Sequence, residues 1–457
     1  MRFAILTVAF AATLFIRVRG ITTHFWMLWD QIRDWNIALG PFASLPLVGP
    51  PTHFGGYTIG PAFYWILWAV RVTVGPWFEN LPHAGGIGQA ILQSAADALL
   101  LAAVWRRTNS VWIAVGVVVL LATSAYDLCL APIVWNPVVG SILAKTATAL
   151  LLLDWHRRSL VRAGVTAAVA WAAVHAYTGA IYVALAVFIA LVLEPLVERD
   201  RRRAWSVAAV IIVVVALLQL PYVIYRATNR ASEPAMSAVS GSVTAILSGR
   251  ATPRIVKSAS AYVSAVEFVQ GFPTTLPGIA WILIASGAIV AIRYRRDPLV
   301  LCIVLLPQLL AIAGYAFFLG DLDHYYYLAL MSAAVMTVVF AIAALTPPGY
   351  SGVVGLALVV LVATQVPERL RYSSTLHKMP QYGPLVEGSR KIAHANQPMR
   401  AIETEFALPM PSDAMFIYRI LGGRSDSTSP WVARISATGA VTYRRIDKRS
   451  VVAPEAR

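Results

Sequence analysis

Charged residues are scarce in this chain of 457 residues, where Asp, Glu, Lys and Arg together make up 13% of the sequence. Soluble globular domains carry about 25%. Hydrophobic residues reach 58%, and the mean hydropathy is +0.67. A soluble domain could not cover its surface with so little charge, so the composition indicates an integral membrane protein.

Cysteine is nearly absent, since the chain contains only Cys129 and Cys302. Cys302 lies inside an apolar run, and neither residue belongs to a Cys-x-x-Cys pair. This excludes a disulfide framework and a cysteine-based zinc motif, and it gives no information on the redox compartment.

Long apolar runs recur from Phe3 to Val366. A helix needs about 20 mainly apolar residues to span a bilayer, so these runs predict an all-α polytopic membrane protein with about eleven spans. Arg17-Val-Arg19 follows the first run in place of a small-residue cleavage site, so we interpret that run as an uncleaved helix. The predicted spans are 3–19, 86–105, 109–125, 137–153, 161–175, 178–196, 204–221, 273–292, 298–317, 325–345 and 350–366.

The net charge of +15 comes from basic residues at the ends of the apolar runs, a distribution typical of membrane proteins and not of nucleic-acid binding. Alternate loops differ sharply, because the short loops near 126–136, 176–177 and 318–324 contain no Lys or Arg. The positive-inside rule therefore predicts a cytoplasmic N-terminus and an extracytoplasmic C-terminus. The residues predicted to be cytoplasmic are Arg106, Arg107, Arg157, Arg158, Arg162, Arg199, Arg201, Arg202, Arg203, Arg293, Arg295 and Arg296.

Two features oppose this topology. Arg17 and Arg19 lie at the predicted outer end of the first helix, which alone favours the opposite orientation. The segment Gly60–Val74 is apolar enough to be a further span, which would invert every later loop. Because Trp65, Trp68 and Trp77 suit a headgroup region, we expect this segment to lie in the outer interface and to form part of the roof of a substrate cavity.

The topology divides the chain into a transmembrane domain, 1–366, and an extracytoplasmic C-terminal domain, 367–457. The first contains an outer loop 1 at 20–85 and a second long outer loop at 222–273. The polar tail has a helix-like stretch near 384–396 and strand-like stretches at 415–421, 431–436 and 440–446. We expect a small α/β appendage.

Loop 1 carries the most informative sequence. It contains Trp29-Asp30-Gln31-Ile32-Arg33-Asp34-Trp35, then Leu45-Pro46-Leu47-Val48-Gly49-Pro50-Pro51, then Gly55-Gly56-Tyr57-Thr58-Ile59-Gly60-Pro61-Ala62-Phe63-Tyr64-Trp65. This loop resembles the first outer loop of the GT-C glycosyltransferases, specifically the bacterial branch similar to protein mannosyltransferases and lipid A aminoarabinose transferases. In that family an Asp closely follows the first span, and a Gly-Pro-aromatic segment comes after it.

The resemblance implies a GT-C fold and a membrane glycosyltransferase that takes a sugar from a polyprenyl-phosphate donor. The acceptor would be a lipid, a glycan or a protein, and the location would be the bacterial inner membrane. A phosphate leaving group needs no proton, so one carboxylate suffices as a base. The resemblance assigns that base to Asp30. The family often has Asp-Glu where this chain has Asp30-Gln31, and Asp34, one helical turn on, is the second candidate.

Cations are needed to bind the donor phosphate, and arginine binds phosphate through paired donors. Arg33 is our first candidate, followed by Arg19 and Arg17. The alternative for each is snorkelling to lipid headgroups. Further candidates on the second outer loop are Arg226, Arg230, Arg254 and Lys257.

Other residues are candidates for the substrate cavity. Tyr57 and Tyr64 belong to the loop 1 motif; the others are Asn136, His175, His324 and Tyr325. Asn136 in Trp-Asn-Pro is also a natural helix cap, and His175 also suits a structural role. Asp321 and Asp323 could hold a divalent metal against a diphosphate, but we interpret them as a charged turn and expect no required cofactor.

Two charges fall inside predicted spans. Asp97 lies nine residues before Arg106, and Lys145 lies nine before Asp154, so both are about 13 Å from the inner ends of their helices. Unpaired charges at this depth are costly. We therefore predict that Asp97 and Lys145 form a structural ion pair.

Two other functions compete with glycosyl transfer. A transporter or lipid flippase would need polar residues along a path through the bilayer, for which only the Asp97–Lys145 pair is available. A sugar polymerase or ligase with a diphosphate-linked donor would use the Asp321–Asp323 pair and a metal.

Overall fold

The computed structural model describes residues 2–19, 21, 29–52, 56–229, 237–271, 278–347, 349–376, 382–406 and 412–446. The chain is mostly helical, at 74%. The first ten helices are α1 (Arg2–Val18), α2 (Trp29–Ala38), α3 (Ala62–Thr73), α4 (Leu81–Thr108), α5 (Val111–Ala122), α6 (Ala125–Leu130), α7 (Asn136–Leu152), α8 (Leu160–Ala176), α9 (Ile181–Val197) and α10 (Arg201–Thr228). The remaining helices are α11 (Ser237–Leu247), α12 (Ile255–Gln270), α13 (Ile279–Arg293), α14 (Pro298–Val304), α15 (Leu306–Tyr315), α16 (Met331–Leu345), α17 (Ser351–Leu376), α18 (Tyr382–His394) and α19 (Ser412–Ile420).

Each predicted span contains helix among its described residues, and the start of the predicted span 273–292 lies outside the described residues. The chain is an integral multi-pass membrane protein. Within the described residues, five helical segments are long and apolar enough to cross a bilayer, and a bent pair makes six. Helices α5, α7, α8 and α13 are apolar but shorter. The total of eleven spans stays a prediction.

The bent pair is α14 and α15, which meet at 41° within the predicted span 298–317. Pro307 stands in the first turn of α15. Since proline has no N–H to donate to the preceding turn, a continuous helix is interrupted there.

Two other helices continue past a proline that lies at or next to the end of a predicted span. The predicted spans end at 221 and 366, but α10 continues through Pro221 to Thr228 and α17 continues through Pro367 to Leu376. A proline removes one backbone hydrogen bond, and long membrane helices tolerate this loss. Much of the predicted second outer loop is also helical, in α11 and α12, and α12 buries Tyr262 and Val266.

The membrane helices pack through small residues. Helix α7 lies between α4 and α8, and its buried face includes Ala144 and Ala147. A Cβ at Gly140 would lie 2.5 Å from the Cβ of Tyr177. Close approach at small residues is the usual way in which membrane helices associate, and here it brings the turn between α8 and α9 against the start of α7.

Loop 1 is folded against one set of ends of these helices. Its Pro51 and Tyr57 form an antiparallel bridge, and Gly49 N–H donates to Thr58 O at 3.1 Å. A Cβ at Gly60 would lie 2.1 Å from Nδ1 of His175. The loop can therefore reach α8 only because position 60 has no side chain.

The C-terminal appendage combines α18 and α19 with strands β1 (Ala401–Thr404), β2 (Trp431–Ile435) and β3 (Val441–Arg445). The sheet order is β1-β2-β3; β1 pairs parallel with β2, which pairs antiparallel with β3. The predicted strand at 415–421 is wrong, since residues 415–420 belong to α19. Burial of Phe416 and Ile417 decides its structure, because tertiary packing overrides the strand propensity of aromatic and β-branched residues.

The appendage docks on loop 1. Trp35 and Tyr64 of loop 1 belong to the same buried apolar cluster as Leu385 and Phe416 of the appendage. Arg390 also pairs with Glu79, at 2.9 Å from Nε to Oε1. The appendage therefore packs against the loop that carries the candidate acids.

Candidate functional site

A cavity of about 500 Å³ lies between loop 1 and the ends of the membrane helices. Loop 1 contributes Asp30, Arg33, Pro51, Thr52, Tyr57, Thr58 and Ile59. The start of α7 and the turn into α9 contribute Trp135, Asn136, Pro137, Tyr177, Thr178, Gly179, Ile181 and Tyr182. The opposite wall contains Val243, Gly314, Tyr315, Phe317, Phe318, Tyr325 and Tyr326.

Aromatic rings make up much of the lining of this cavity. The ring centroids of Trp135 and Tyr325 are 5.1 Å apart, those of Tyr325 and Tyr326 are 4.5 Å apart, and those of Tyr182 and Tyr315 are 5.0 Å apart. An apolar cavity with a few converging polar groups is the usual form of a small-molecule site. Asp30 and Arg33 are the only charged residues among its lining residues in the described chain.

Asp30 lies in the first turn of α2, and hydrogen bonds hold both of its carboxylate oxygens. Oδ1 accepts from Nη1 of Arg33 at 2.9 Å, and Oδ2 accepts from Nε1 of Trp135 at 3.3 Å. The side chain is nonetheless 37% exposed. The carboxylate is thus fixed in direction while it stays accessible from the cavity.

Arg33 connects Asp30 to Asp34. Its Nε donates to Oδ1 of Asp34 at 2.8 Å, and the same oxygen accepts from the Tyr64 hydroxyl at 3.0 Å. Arg33 follows Asp30 by three residues on α2, a spacing at which side chains of a helix meet, and it bonds to Asp34 as its direct neighbour in sequence. The arginine side chain is 26% exposed, so it also reaches the cavity.

Asp34 lies behind the cavity, not in it. It is buried, its Oδ2 has no hydrogen-bond partner within the described residues, and neither Asp34 nor Tyr64 lines the cavity. Burial raises the pKa of the Asp34 carboxyl to about 6, although the hydrogen bonds from Arg33 and Tyr64 lower it. Asp34 therefore holds Arg33 in place, and Tyr64 bonds to Asp34. The sequence predicted both residues in the site, but neither lines the cavity.

The first-span arginines do not line the cavity either. Arg17 is buried, with Nη2 at 2.6 Å from Asp97 Oδ2 and 2.7 Å from Asp127 Oδ2. Its position at the outer mouth of α1 had suggested phosphate binding; the structure instead satisfies its charge inside the helix bundle. Arg19 is exposed just beyond α1 and is absent from the cavity wall.

The predicted intramembrane ion pair is present. Lys145 Nζ lies 2.6 Å from Asp97 Oδ1, and both side chains are buried. The sequence interpretation missed Arg17 and Asp127, which make this pair part of a cluster with two cations and two anions. Asp127 follows a predicted span end in a loop without basic residues, so its sequence position alone does not indicate a buried ion pair.

The two candidate histidines have other contacts. His175 is buried, and its Nε2 lies 3.3 Å from Oε1 of Gln219. The His324 ring stacks on Phe268 with centroids 4.3 Å apart. Neither lines the cavity, whereas the candidates Tyr57, Asn136 and Tyr325 do.

Asn136 also has a structural contact, since its Nδ2 donates to Ala176 O at 3.3 Å. The segment Gly60–Val74 does form a helix, α3, but α3 contributes no residue to the cavity wall. Pro51, Thr52 and Tyr57–Ile59 of loop 1 line the cavity instead. The sequence motif locates this stretch but does not show which of its residues turn toward the cavity.

The Asp-x-Asp turn lies beside the cavity wall, since Asp323 interacts with Tyr325 and Tyr326, which line the cavity. Asp321 is fully exposed and pairs with Lys257 at 3.2 Å, and neither it nor Asp323 lines the cavity. In the described part of the chain, no cluster of three or more His, Cys, Asp or Glu side chains could hold a metal.

The remaining outer-loop cations also lie elsewhere. Arg254 donates to Leu319 O at 2.8 Å, and Arg226 is not a lining residue. Arg230 is outside the described residues. Sequence reasoning also missed Tyr177, Tyr182 and Tyr315 as cavity residues; their only signal is that each lies at a predicted span end.

The helical arrangement and the long first loop give the chain a fold that is similar to the fold of GT-C glycosyltransferases. Among solved structures, the chain is similar to ArnT from Cupriavidus metallidurans bound to undecaprenyl phosphate, with a TM-score of 0.52, 14% identity, and 90% of this chain and 84% of that chain covered. ArnT is a lipid A aminoarabinose transferase, so the predicted GT-C resemblance is confirmed at the level of the fold.

Two further structures are more distant. The Archaeoglobus fulgidus oligosaccharyltransferase in the apo form matches with a TM-score of 0.49 and 15% identity, covering 86% of this chain and 58% of that chain. The mycobacterial arabinofuranosyltransferase AftD matches with a TM-score of 0.38 and 14% identity, covering 89% of this chain and 30% of that chain. No known family profile and no curated protein sequence matches the chain.

Proposed function

We propose that this protein is a membrane glycosyltransferase that moves a sugar from a polyprenyl-phosphate donor to a hydroxyl group of a lipid, glycan or protein acceptor. The observation that supports this most strongly is the position of Asp30, the one carboxylate among the described residues that line the aromatic cavity. Transfer takes place on the non-cytoplasmic face, with the N-terminus in the cytoplasm and the C-terminal appendage outside. The membrane is the bacterial inner membrane.

Asp30 acts as the general base. One carboxylate oxygen takes the proton of the acceptor hydroxyl as that oxygen bonds to the anomeric carbon of the sugar. The bond from the anomeric carbon to the phosphate oxygen breaks, and the lipid phosphate leaves without a proton. The hydrogen bond from Trp135 Nε1 at 3.3 Å orients the carboxylate.

Arg33 binds the leaving phosphate. A guanidinium has five N–H donors, and it pairs with phosphate through two parallel bonds. Arg33 lines the cavity next to Asp30, and Asp34 holds its Nε at 2.8 Å. Donor phosphate therefore competes with Asp30 for Nη1, and the competition frees a carboxylate oxygen when the donor arrives.

The aromatic wall holds the sugar and the first part of the lipid. Tyr325 and Trp135 form a pair of rings next to the base, and Tyr182 and Tyr315 form a second pair.

The competing transporter function is less well supported, because the buried charges Asp97 and Lys145 bond to each other and do not line the cavity.

The test is transfer of labelled sugar by the purified protein from a panel of polyprenyl-phosphate and polyprenyl-diphosphate sugars, with and without Mg²⁺. We expect transfer from a monophosphate donor without metal, and loss of transfer in Asp30→Asn. Asp321→Asn is the matched control, since this exposed acid lies outside the cavity wall.

Folded wild-type protein that transfers no sugar from any donor would overturn the proposal. Strict dependence on Mg²⁺ and a diphosphate donor, together with an inactive Asp321→Asn variant, would favour the polymerase or ligase instead.

A further inference from the structure

A second cavity, of about 450 Å³, lies where the appendage meets loop 1. Its walls come from the end of α2, from α3 and the segment that follows it, and from α19. Its lining residues include Leu39, Arg71, Phe78, Arg419 and Ile420. It shares no lining residue with the aromatic cavity, and the buried residues Asp34 and Trp35 of α2 line neither cavity.

Two guanidinium groups line this cavity, and they are held differently. Arg71 donates from Nη1 to Leu39 O at 2.9 Å and from Nη2 to Gly40 O at 3.2 Å, so it caps the end of α2. Its Nε is buried without a partner within the described residues. The side chain of Arg419 is exposed and has no ion pair or hydrogen bond in the described part of the chain.

The one carboxylate in the wall does not neutralise these arginines. Glu79 pairs with Arg390, and that hydrogen bond lowers the pKa of the Glu79 carboxyl. Both carboxylate oxygens accept from Arg390 Nε, at 2.9 and 3.0 Å. The cavity therefore keeps a positive charge from Arg71 and Arg419.

The edge of the cavity is apolar and exposed. Leu39 is 45% exposed and Phe78 is 38% exposed, and the neighbouring Trp77 is 81% exposed. Tryptophan with exposed aliphatic and aromatic residues is typical of the membrane–water interface. A cationic pocket next to such an edge is complementary to a molecule with an anionic head and an apolar chain.

We propose that this second cavity binds the anionic headgroup of a membrane phospholipid, with the acyl chains lying along Leu39, Trp77 and Phe78. Arg71 is fixed in place by backbone carbonyls, and Arg419 closes on the phosphate from the appendage. The bound lipid thereby holds the appendage to loop 1. The proposal is independent of sugar transfer.

The test is lipid binding by the full-length protein in detergent, measured by native mass spectrometry with phosphatidylglycerol, phosphatidylcholine and inorganic phosphate as separate probes. We expect phosphatidylglycerol to bind most tightly. Arg419→Gln should weaken that binding about tenfold, because a charge-assisted hydrogen bond has about that effect. Arg445→Gln is the matched control, since it removes the same charge from the exposed strand β3.

Three results would contradict the proposal. Equal loss in Arg419→Gln and Arg445→Gln would mean that only the net charge of the appendage attracts lipid. Equal binding of phosphatidylcholine would show that an anionic headgroup is not required. Saturation by inorganic phosphate at the same concentration as by phosphatidylglycerol would identify a phosphate site without a lipid. Arg71 is left unchanged because its loss would also uncap α2.

Discussion

The buried ion cluster gives the sharpest prediction about stability. Asp97 accepts from Lys145 and from Arg17, at 2.6 Å in each case, and Arg17 also pairs with Asp127 at 2.7 Å. Asn at position 97 leaves Arg17 with one anion but removes the ion-pair partner of Lys145. Breaking a buried pair in this way costs about 3–5 kcal/mol.

The lower end of that range is expected here. A cavity of about 40 Å³ lies against Lys145, lined also by the polar side chains of Gln93 and Gln270. This is room for water, which would partly solvate an unpaired ammonium group. Replacing Asp97 by Asn and Lys145 by Met together leaves Arg17 paired with Asp127, so the double variant should be more stable than Asp97→Asn alone.

The measurement is the free energy of unfolding in mixed micelles at increasing SDS fraction, for both single variants and the double variant. We expect a coupling free energy of about 2–3 kcal/mol between positions 97 and 145. Arg106→Gln is the control, because the Arg106 side chain, which pairs with Asp154, is half exposed and the pair should contribute at most about 1 kcal/mol. Losses that add to within about 0.5 kcal/mol would refute the predicted coupling.

Three further predictions concern loop 1 and its neighbours. Because burial raises the pKa of Asp34 to about 6, its contribution to stability is present below about pH 4 and is lost as the pH rises through 6. The wild-type free energy of unfolding should fall by about 3 kcal/mol between pH 4 and pH 7, and thermal unfolding of Asp34→Asn should not show this fall. The same dependence on pH in the wild type and the variant would contradict the assignment. Gly60→Ala should destabilise the protein, since its Cβ would lie 2.1 Å from His175 Nδ1, whereas Gly287→Ala has room, with its nearest contact at 3.8 Å; equal melting temperatures would show that the loop adjusts. Trp135→Phe removes the indole donor to the proposed base and should lower kcat about tenfold with little effect on donor KM; a change in KM alone would point to a role in donor binding.

The helices were largely predictable because their signal is local. Apolar runs locate the helices that are long and apolar enough to cross a bilayer, and the pair Asp97–Lys145 follows from matched depth along two helices. Helices α10 and α17 continue beyond the predicted span ends at 221 and 366, because a proline removes only one backbone hydrogen bond and long membrane helices tolerate this loss.

The site was predictable only in part. Asp30 and Arg33 are named by the loop 1 motif, and both reach the cavity. Asp34 is one turn from Asp30, but its side chain bonds to Tyr64, which is 30 residues away in sequence. Helical spacing cannot predict such a tertiary contact. Arg17 was misplaced for the same reason, since the acid that completes its pairing, Asp127, is 110 residues away.

The measurement that tests the central claim most directly separates donor binding from chemistry in Asp30→Asn. A purified polyprenyl-phosphate sugar that supports transfer would be titrated for binding to the wild type and the variant, and single-turnover transfer would be measured at saturation. We expect a similar Kd and a transfer rate lower by about 10²- to 10⁴-fold, the usual contribution of a general base. A variant that binds donor and transfers the sugar at the wild-type rate would contradict the assignment of Asp30 as the base.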